Sequence, residues 1–376
     1  MRHHTILLLL TLTLLVGAAC GGPKPIHVGF AAQLTGPHSD LGVDGRDAAI
    51  LAVEALNAAG GINGRPLQLV IHDDQGDPEV ARQVSSALIE QGVVAIIGHS
   101  TSAQTEAVFE QINQANMVMI SPTTSSDYFT GQDDYFFRIT STTSMQGRAL
   151  ARYVYTQGYT QTAIVYDQTN LTFSNSFKEN FEAEFHKLGG EVELVLSFTS
   201  RIDDVRTIAQ SLATHEPTAL LLIASAFDAA LIVQAFRQLN PTTPIFSSGW
   251  AQTEELLIKG GNAVEGMTLI IAFNPQHSDP AFQRFIERFD QRYQRPVSFA
   301  AAFSYEAILV LAKGLHQTKG STTGLREVLR ELGPIAGLQG TFEFDQFGDV
   351  RRDLYISSVR AGTFQVVTTI PAEELP

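Results

Sequence analysis

The sequence predicts two α/β units in tandem, each a mainly parallel sheet covered by helices. Three observations carry this expectation. Short β-like apolar runs alternate with helix-spaced apolar stripes from Ile26 onward, and the alternation resumes after "FFRITSTTSMQG". Strand–helix alternation of this kind places helices on both faces of a parallel sheet. The chain has 376 residues, enough for two domains of roughly 100–200 residues.

The elements follow in order. Residues 1–19, "MRHHTILLLLTLTLLVGAA", carry a basic start, an apolar stretch and small residues, the pattern of a secretory signal peptide. No later run approaches the roughly 18 unbroken apolar residues of a membrane span. "IHVGFAAQL" (26–34) is the first strand, and Ala49, Ala52, Val53 and Leu56 stripe a helix after it. "LQLVIHDD" (67–74) is a strand, followed by the stripe Val80, Val84, Ala87 and Leu88. "VVAIIG" (93–98) precedes a helix bearing Ala107, Val108 and Ile112, and "MVMIS" (117–121) is a fourth strand. In the second unit the strands are "TAIVYD" (162–167), "EVELVLSF" (191–198), "TALLLIAS" (218–225) and "TPIFSS" (243–248). Phe177, Phe181, Phe185 and Leu188, and later Phe282, Phe285, Ile286 and Phe289, fall at helical spacing and read as core.

Composition narrows the function. A formal charge of −14 argues against nucleic-acid binding, which draws on Lys and Arg at phosphates. Cys20 is the only cysteine, so no internal disulfide can form. It follows the signal and precedes "GGPKP", which makes 20–25 a lipid-anchor and linker segment that resembles the modified terminus of bacterial lipoproteins. Gly17 departs from the Leu usual three residues before such a Cys, and simple cleavage after Ala19 is the alternative. "AAGGINGRPL" (58–67) follows a helix and lacks the phosphate-loop pattern, so it reads as a C-capping turn. "HDDQGDPE" (72–79) lacks the register and bidentate Glu of a calcium loop. The histidines show no metal-binding spacing, and neither metal nor cofactor is expected.

The most informative stretch is "IIGHSTSAQTEAVFEQI" (96–112), where a buried run enters a helix through Gly98, His99, Ser100, Thr101 and Ser102. An enzyme reading compares it with the nucleophile elbow G-x-S-x-G of Ser hydrolases. The second Gly is missing, and Asp228 and His277, the available partners, sit in no telling context. In a binding reading, a helix beginning near Ser102 offers unpaired N–H groups and the positive end of its dipole, with hydroxyls beside them. "ISPTTSSDYF" (120–129) repeats the design at the next strand end with Thr123, Thr124, Ser125 and Ser126. Open α/β sheets bind ligands beyond the carboxyl ends of their strands, so both loops could hold one carboxylate without a cation. The plainer alternative makes Ser102 and Ser125 helix N-caps, worth about 1 kcal/mol each.

From about residue 26 to 368 the chain resembles the type I periplasmic binding proteins of the leucine/isoleucine/valine-binding class, receptors for branched-chain amino acid ABC importers. The stretches that carry the resemblance include "VGFAAQLTGPHSDLGVDGRDAAILAVEALNAAGGINGRPLQLVIHDDQGDPEVA", "VVAIIGHSTSAQT", "MVMISPTT", "FSYEAILVLAKGL" and "GTFEFDQFGDV". The resemblance implies two doubly wound parallel-sheet lobes joined by a three-crossing hinge, with a ligand in the cleft and no chemistry done on it. The implied crossings lie near Thr140–Ser141, Ala272–Phe273 and Gly337–Gly340. Lobe 1 would comprise 26–141 plus 274–338 and lobe 2 142–273 plus 339–370, leaving a tail at 371–376.

Site residues carry over by motif. Ser102 falls where the family binds a carboxylate, with Ser100 and Thr101 in the same loop, and Thr123 and Ser125 form the neighbouring strand-end pair. One aromatic position of the family falls on Leu41, and another near Leu171 or Phe173. The acid that pairs with a ligand ammonium aligns with Trp250, which has one donor and no acceptor. Asp228 could replace that acid, or Ser225-x-x-Asp228 could be a capping box. In the second case the ligand could lack an ammonium, with Trp250, Phe173, Phe227 and Phe299 around its body. The resemblance implies a monomeric binding component that serves an ABC permease; a subunit that senses ligand for a membrane signalling partner would use the same cleft.

Overall fold

The computed structural model describes residues 23–36, 38–200 and 203–375. The signal segment and Cys20 lie outside the described residues. The first lobe is built on a five-stranded parallel sheet: β1 (Ile26–Ala32), β2 (Leu67–Asp73), β3 (Ile96–Gly98), β4 (Met119–Ser121) and β5 (Phe136–Arg138), in the order β2-β1-β3-β4-β5. The crossover helices are α1 (Asp40–Ala58), α2 (Pro78–Glu90) and α3 (Ser102–Gln114). Helices cover both faces, giving the α/β class that the alternation predicts.

The second lobe opens with α4 (Thr143–Thr156), β6 (Gln161–Asp167), α5 (Leu171–Lys187), β7 (Glu191–Phe198), α6 (Val205–His215) and β8 (Leu220–Ile223). It continues through α7 (Ala226–Leu239), β9 (Ile245–Ser247), α8 (Glu254–Gly260) and β10 (Thr268–Ile271). The chain then returns to the first lobe for α9 (Pro280–Tyr293), α10 (Phe299–Thr318), α11 (Leu325–Arg330) and the small ribbon β11 (Ile335–Ala336) and β12 (Thr341–Phe342). β13 (Leu354–Arg360) and β14 (Thr363–Ile370) complete a seven-stranded sheet, β14-β13-β10-β9-β8-β6-β7, in which both pairings of β13 are antiparallel. α10 is long and apolar enough to cross a membrane, yet it is largely buried, with Ala301, Phe303 and Leu311 in the first core.

The cores fix where the chain crosses. Ile139 belongs to the first core and Ala149 to the second lobe, Ile271 to the second and Phe273 to the first. Phe342, Phe344 and Val350 also pack in the first core. Residues 339–352 therefore sit with lobe 1, and the third crossing falls between Val350 and Leu354 rather than at Gly337–Gly340. The expected tail is also packed, since Leu375 is buried in the second lobe's core.

Two buried ion pairs hold this last segment. Arg138 on β5, fully buried, donates to Asp349 (2.6 Å), to the Ser126 carbonyl (2.8 Å) and to Thr130 (2.6 Å). Arg352 pairs with Glu306 of α10 and donates to the Ile139 carbonyl at 3.2 Å. Removing one member of a buried pair strands the other charge. Arg138→Ala is expected to cost about 3–5 kcal/mol in urea unfolding followed by circular dichroism. The double variant Arg138→Met/Asp349→Leu should recover most of that loss; equal losses would mean that packing, not the stranded carboxylate, sets the cost.

Candidate functional site

The loops after β3 and β4 come together at the carboxyl edge of the first sheet. Gly98 makes the turn possible: its φ is +134°, and a Cβ there would stand 2.0 Å from the Ala31 carbonyl oxygen. Hydrogen bonds tie the loops to each other. Ser121 Oγ donates to the His99 carbonyl (2.6 Å) and Thr123 Oγ1 to the Ser100 carbonyl (2.5 Å). Thr105 and Thr124 share a hydroxyl contact of 2.8 Å.

Capping falls on residues other than those expected. Thr101 caps α3 by accepting from Gln104 N–H, and Ser126 caps the short turn of 3-10 helix at Asp127–Phe129. Ser102 and Ser125 are not the caps. Ser102 Oγ has only a long contact, 3.4 Å from Ser126 N–H, and its backbone N–H has no protein partner among the described residues. The α3 terminus thus keeps a free N–H and a hydroxyl at the positive end of the helix.

These groups face a cavity of about 50 Å3 between the lobes. The first lobe contributes Ser100, Thr101, Ser102, Thr123 and Ser125. The second contributes Gln146, Asn170, Phe173, Trp250 and Gln252. Leu41, Phe299 and Phe303 close the apolar side. Phe173 and Trp250 meet edge to face, centroids 5.5 Å apart and planes at 80°. No ionisable side chain lines this cavity among the described residues.

Seven of the eight sequence-derived ligand residues thus share one cavity. Asp228 does not. Its carboxylate accepts from Ser200 (2.9 Å) and Ser225 (2.8 Å) and pairs with His38 Nε2 of the other lobe (3.0 Å). Ser225 Oγ accepts from Asp228 N–H and so caps α7, but the Asp228 carboxylate takes the Ser225 hydroxyl and not its N–H, so only half of the capping box forms, and the acid also latches the lobes. Phe227 lies outside the cavity too, against His38 and beneath Lys259.

Asn170, Gln146 and Gln252 were not found from the sequence. Asn170 precedes α5, where it reads as an N-cap, yet it makes no cap bond; its Oδ1 accepts Ala103 N–H of α3 at 3.0 Å. Further links join the lobes. Asn180 donates to Asp127 (2.6 Å), Thr253 to Asp40 (2.8 Å) and Thr172 to Glu106. The lobes are thus in contact across the cleft in this structure.

The groups of a hydrolase are elsewhere engaged. His99 is buried, with Nδ1 2.5 Å from Asp74 and Nε2 3.1 Å from Ser85. His277 Nδ1 accepts from Asp279 N–H, and Asp228 holds His38. Ser100 has no imidazole partner among the described residues.

Known proteins share this architecture. The sequence profile of a periplasmic binding protein family matches residues 25–363. The leucine-, isoleucine-, valine-, threonine- and alanine-binding protein of Pseudomonas aeruginosa is 24% identical over 330 residues, 87% of each chain. The crystal structure of a leucine-binding protein from Thermotoga maritima superposes with a TM-score of 0.86 at 23% identity, covering 93% of this chain and 100% of that one. An ABC-transporter solute-binding protein from R. palustris in complex with benzoate gives a TM-score of 0.85 at 18% identity, covering 92% and 97%.

The latch between His38 and Asp228 makes closure sensitive to pH. Burial pulls the His38 pKa down, but the hydrogen bond and charge of Asp228, with Asp167 and Asp40 behind it, outweigh this and hold it above its usual value. A raised value in the folded, closed form means a contribution fully present below about pH 6.5, the ordinary His value, and lost as pH rises through the raised one. The melting-temperature gap between wild type and His38→Gln should therefore be widest below pH 6.5 and shrink toward pH 9. A gap that is constant with pH would show that the imidazolium adds nothing to the latch.

Proposed function

The chain belongs to the periplasmic binding protein family, and from that premise we propose that it is the exported ligand-capturing component of an ABC importer, with a small organic carboxylate as ligand. The observation that carries the reading is the cavity between the lobes, whose wall joins the free α3 terminus of one lobe to the aromatic pair of the other. The ligand carboxylate lies at Ser102, receiving its N–H and hydroxyl, with Ser100 and Ser125 beside it. Thr123 acts differently: its hydroxyl hydrogen is committed to Ser100, so it positions the loop. Asn170 Nδ2, with Oδ1 fixed on Ala103, adds a donor from the second lobe. Leu41, Phe173, Trp250 and Phe299 surround the body of the ligand.

The amino acids and benzoate named for the related proteins share a carboxylate. A micromolar dissociation constant, about −8 kcal/mol, is within reach of a few charge-assisted hydrogen bonds and a buried apolar group. The family places the protein outside the cytoplasmic membrane. Residues 1–19 direct its export, Cys20 carries the lipid that holds it at the membrane surface, and the monomer delivers ligand to a membrane permease.

The reading is tested by thermal shift on refolded, ligand-free protein across a panel of amino acids and simple carboxylates. A ligand at 100 times its dissociation constant stabilises by about 2.7 kcal/mol, a shift of several degrees. Ser102→Ala is expected to weaken binding of the best ligand roughly ten- to hundredfold, the loss of a hydrogen bond to a charged group. Unchanged affinity in that variant would remove Ser102 from the site.

A further inference from the structure

We propose that the cavity selects an amine-free monocarboxylic acid with a flat or apolar body over the α-amino acid of the same skeleton; this rests on the carboxylate-capturing reading above. An α-amino acid brings an ammonium into the same closed space as its carboxylate. Burial strips that ammonium of water, and it is tolerated only beside an acceptor set that includes a negative charge. The wall offers none. Its polar side chains are hydroxyls and amides; with their nitrogens committed to the Ser141 and Phe273 carbonyls, Gln146 and Gln252 keep only neutral oxygens to offer, and no side chain brings a negative charge. Trp250 adds an indole N–H, a second donor where an ammonium needs acceptors.

The nearby carboxylates are withdrawn. Asp228 is held by Ser200, Ser225 and His38 and does not line the cavity. Asp40 lines the wider groove that adjoins the cavity at Gln252, accepts from Thr253, and is not itself part of the cavity wall. The apolar residues supply the matching half of the inference: the Phe173–Trp250 pair lines the same space as Leu41 and Phe299. An acid with its charge at one end and an unsubstituted hydrocarbon body satisfies both halves.

The test is isothermal titration of refolded protein with pairs that differ only in the amine: 4-methylpentanoate against leucine, 3-methylbutanoate against valine, and 3-phenylpropanoate against phenylalanine. The amine-free member is expected to bind at least about tenfold tighter in every pair that binds. Trp250→Glu, which puts a carboxylate on the wall, should narrow or invert that preference, and Trp250→Gln, neutral and of similar length, should keep it. Circular dichroism confirms that each variant is folded, and the wild-type comparison stands if either is not. An amino acid that binds as tightly as its partner would overturn the ligand class and leave the solute-binding reading intact. Binding by no member of any pair would overturn both.

Discussion

The two lobes depend on one buried charge pair at the point where the chain passes between them. Arg352 stands at the third crossing, pairs with Glu306 of α10, and donates to the Ile139 carbonyl beside the first crossing. Glu306 in turn accepts from Leu338 N–H, and the guanidinium lies over Phe303 and Phe342, 5.0 and 4.5 Å from their centroids. Two crossings are thereby fastened to one helix of the first lobe. Phe303 also closes the cavity, so the pair that fixes the crossings fixes the back of the site. A buried pair is a poor source of net stability but a strict specifier of geometry, because neither charge tolerates losing the other. That suits a protein whose lobes must separate and return to the same register.

The site itself follows the opposite rule. Charges are tied at the edges of the cleft, and the cavity holds neutral donors. The α3 terminus is a positive feature available to an anion there, and its first N–H and the Ser102 hydroxyl stay usable because Thr101 and Ser126 do the capping. Had Ser102 been the cap, its hydroxyl would have been consumed by its own helix. A shift of one residue in the cap therefore separates a helix start from a ligand site.

Much of this was legible in the sequence because it is local. Period-two runs and helical stripes reveal strands and helices, and a hydroxyl cluster at a strand end marks the carboxylate half of the site. What escaped is non-local. β5 and β10 escape although the equally short β3, β4, β8 and β9 do not, so length alone is not the reason. "GTFEFDQFGDV" looks like sheet of the second lobe, but Phe342 and Phe344 turn into the first core, a choice made by packing across more than two hundred residues. For Asp228 the sequence leaves ligand contact and helix cap both open; its partner His38 lies in the other lobe, and nothing in the neighbouring sequence points to it. Asn170 goes unseen for the same reason: it stands just before a helix, and its side chain makes a distant bond.

That distant bond couples closure to capture. Three N–H groups at the α3 start stand free of the helix: Ser102, Ala103 and Gln104. Thr101 takes the third, Asn170 of the second lobe takes the second, and the first faces the cavity. In an open form the Ala103 N–H would return to water, at a net difference of about 1 kcal/mol, the scale of an ordinary intramolecular hydrogen bond. A bond of that size cannot hold the lobes shut against the freedom gained on opening. A ligand that binds both walls adds several times as much and shifts the balance, because only differential contact with the two states moves such an equilibrium. The Asn170 contact then sets where the second lobe lands, with Trp250 and Phe173 over the ligand body, while the ligand decides whether it lands.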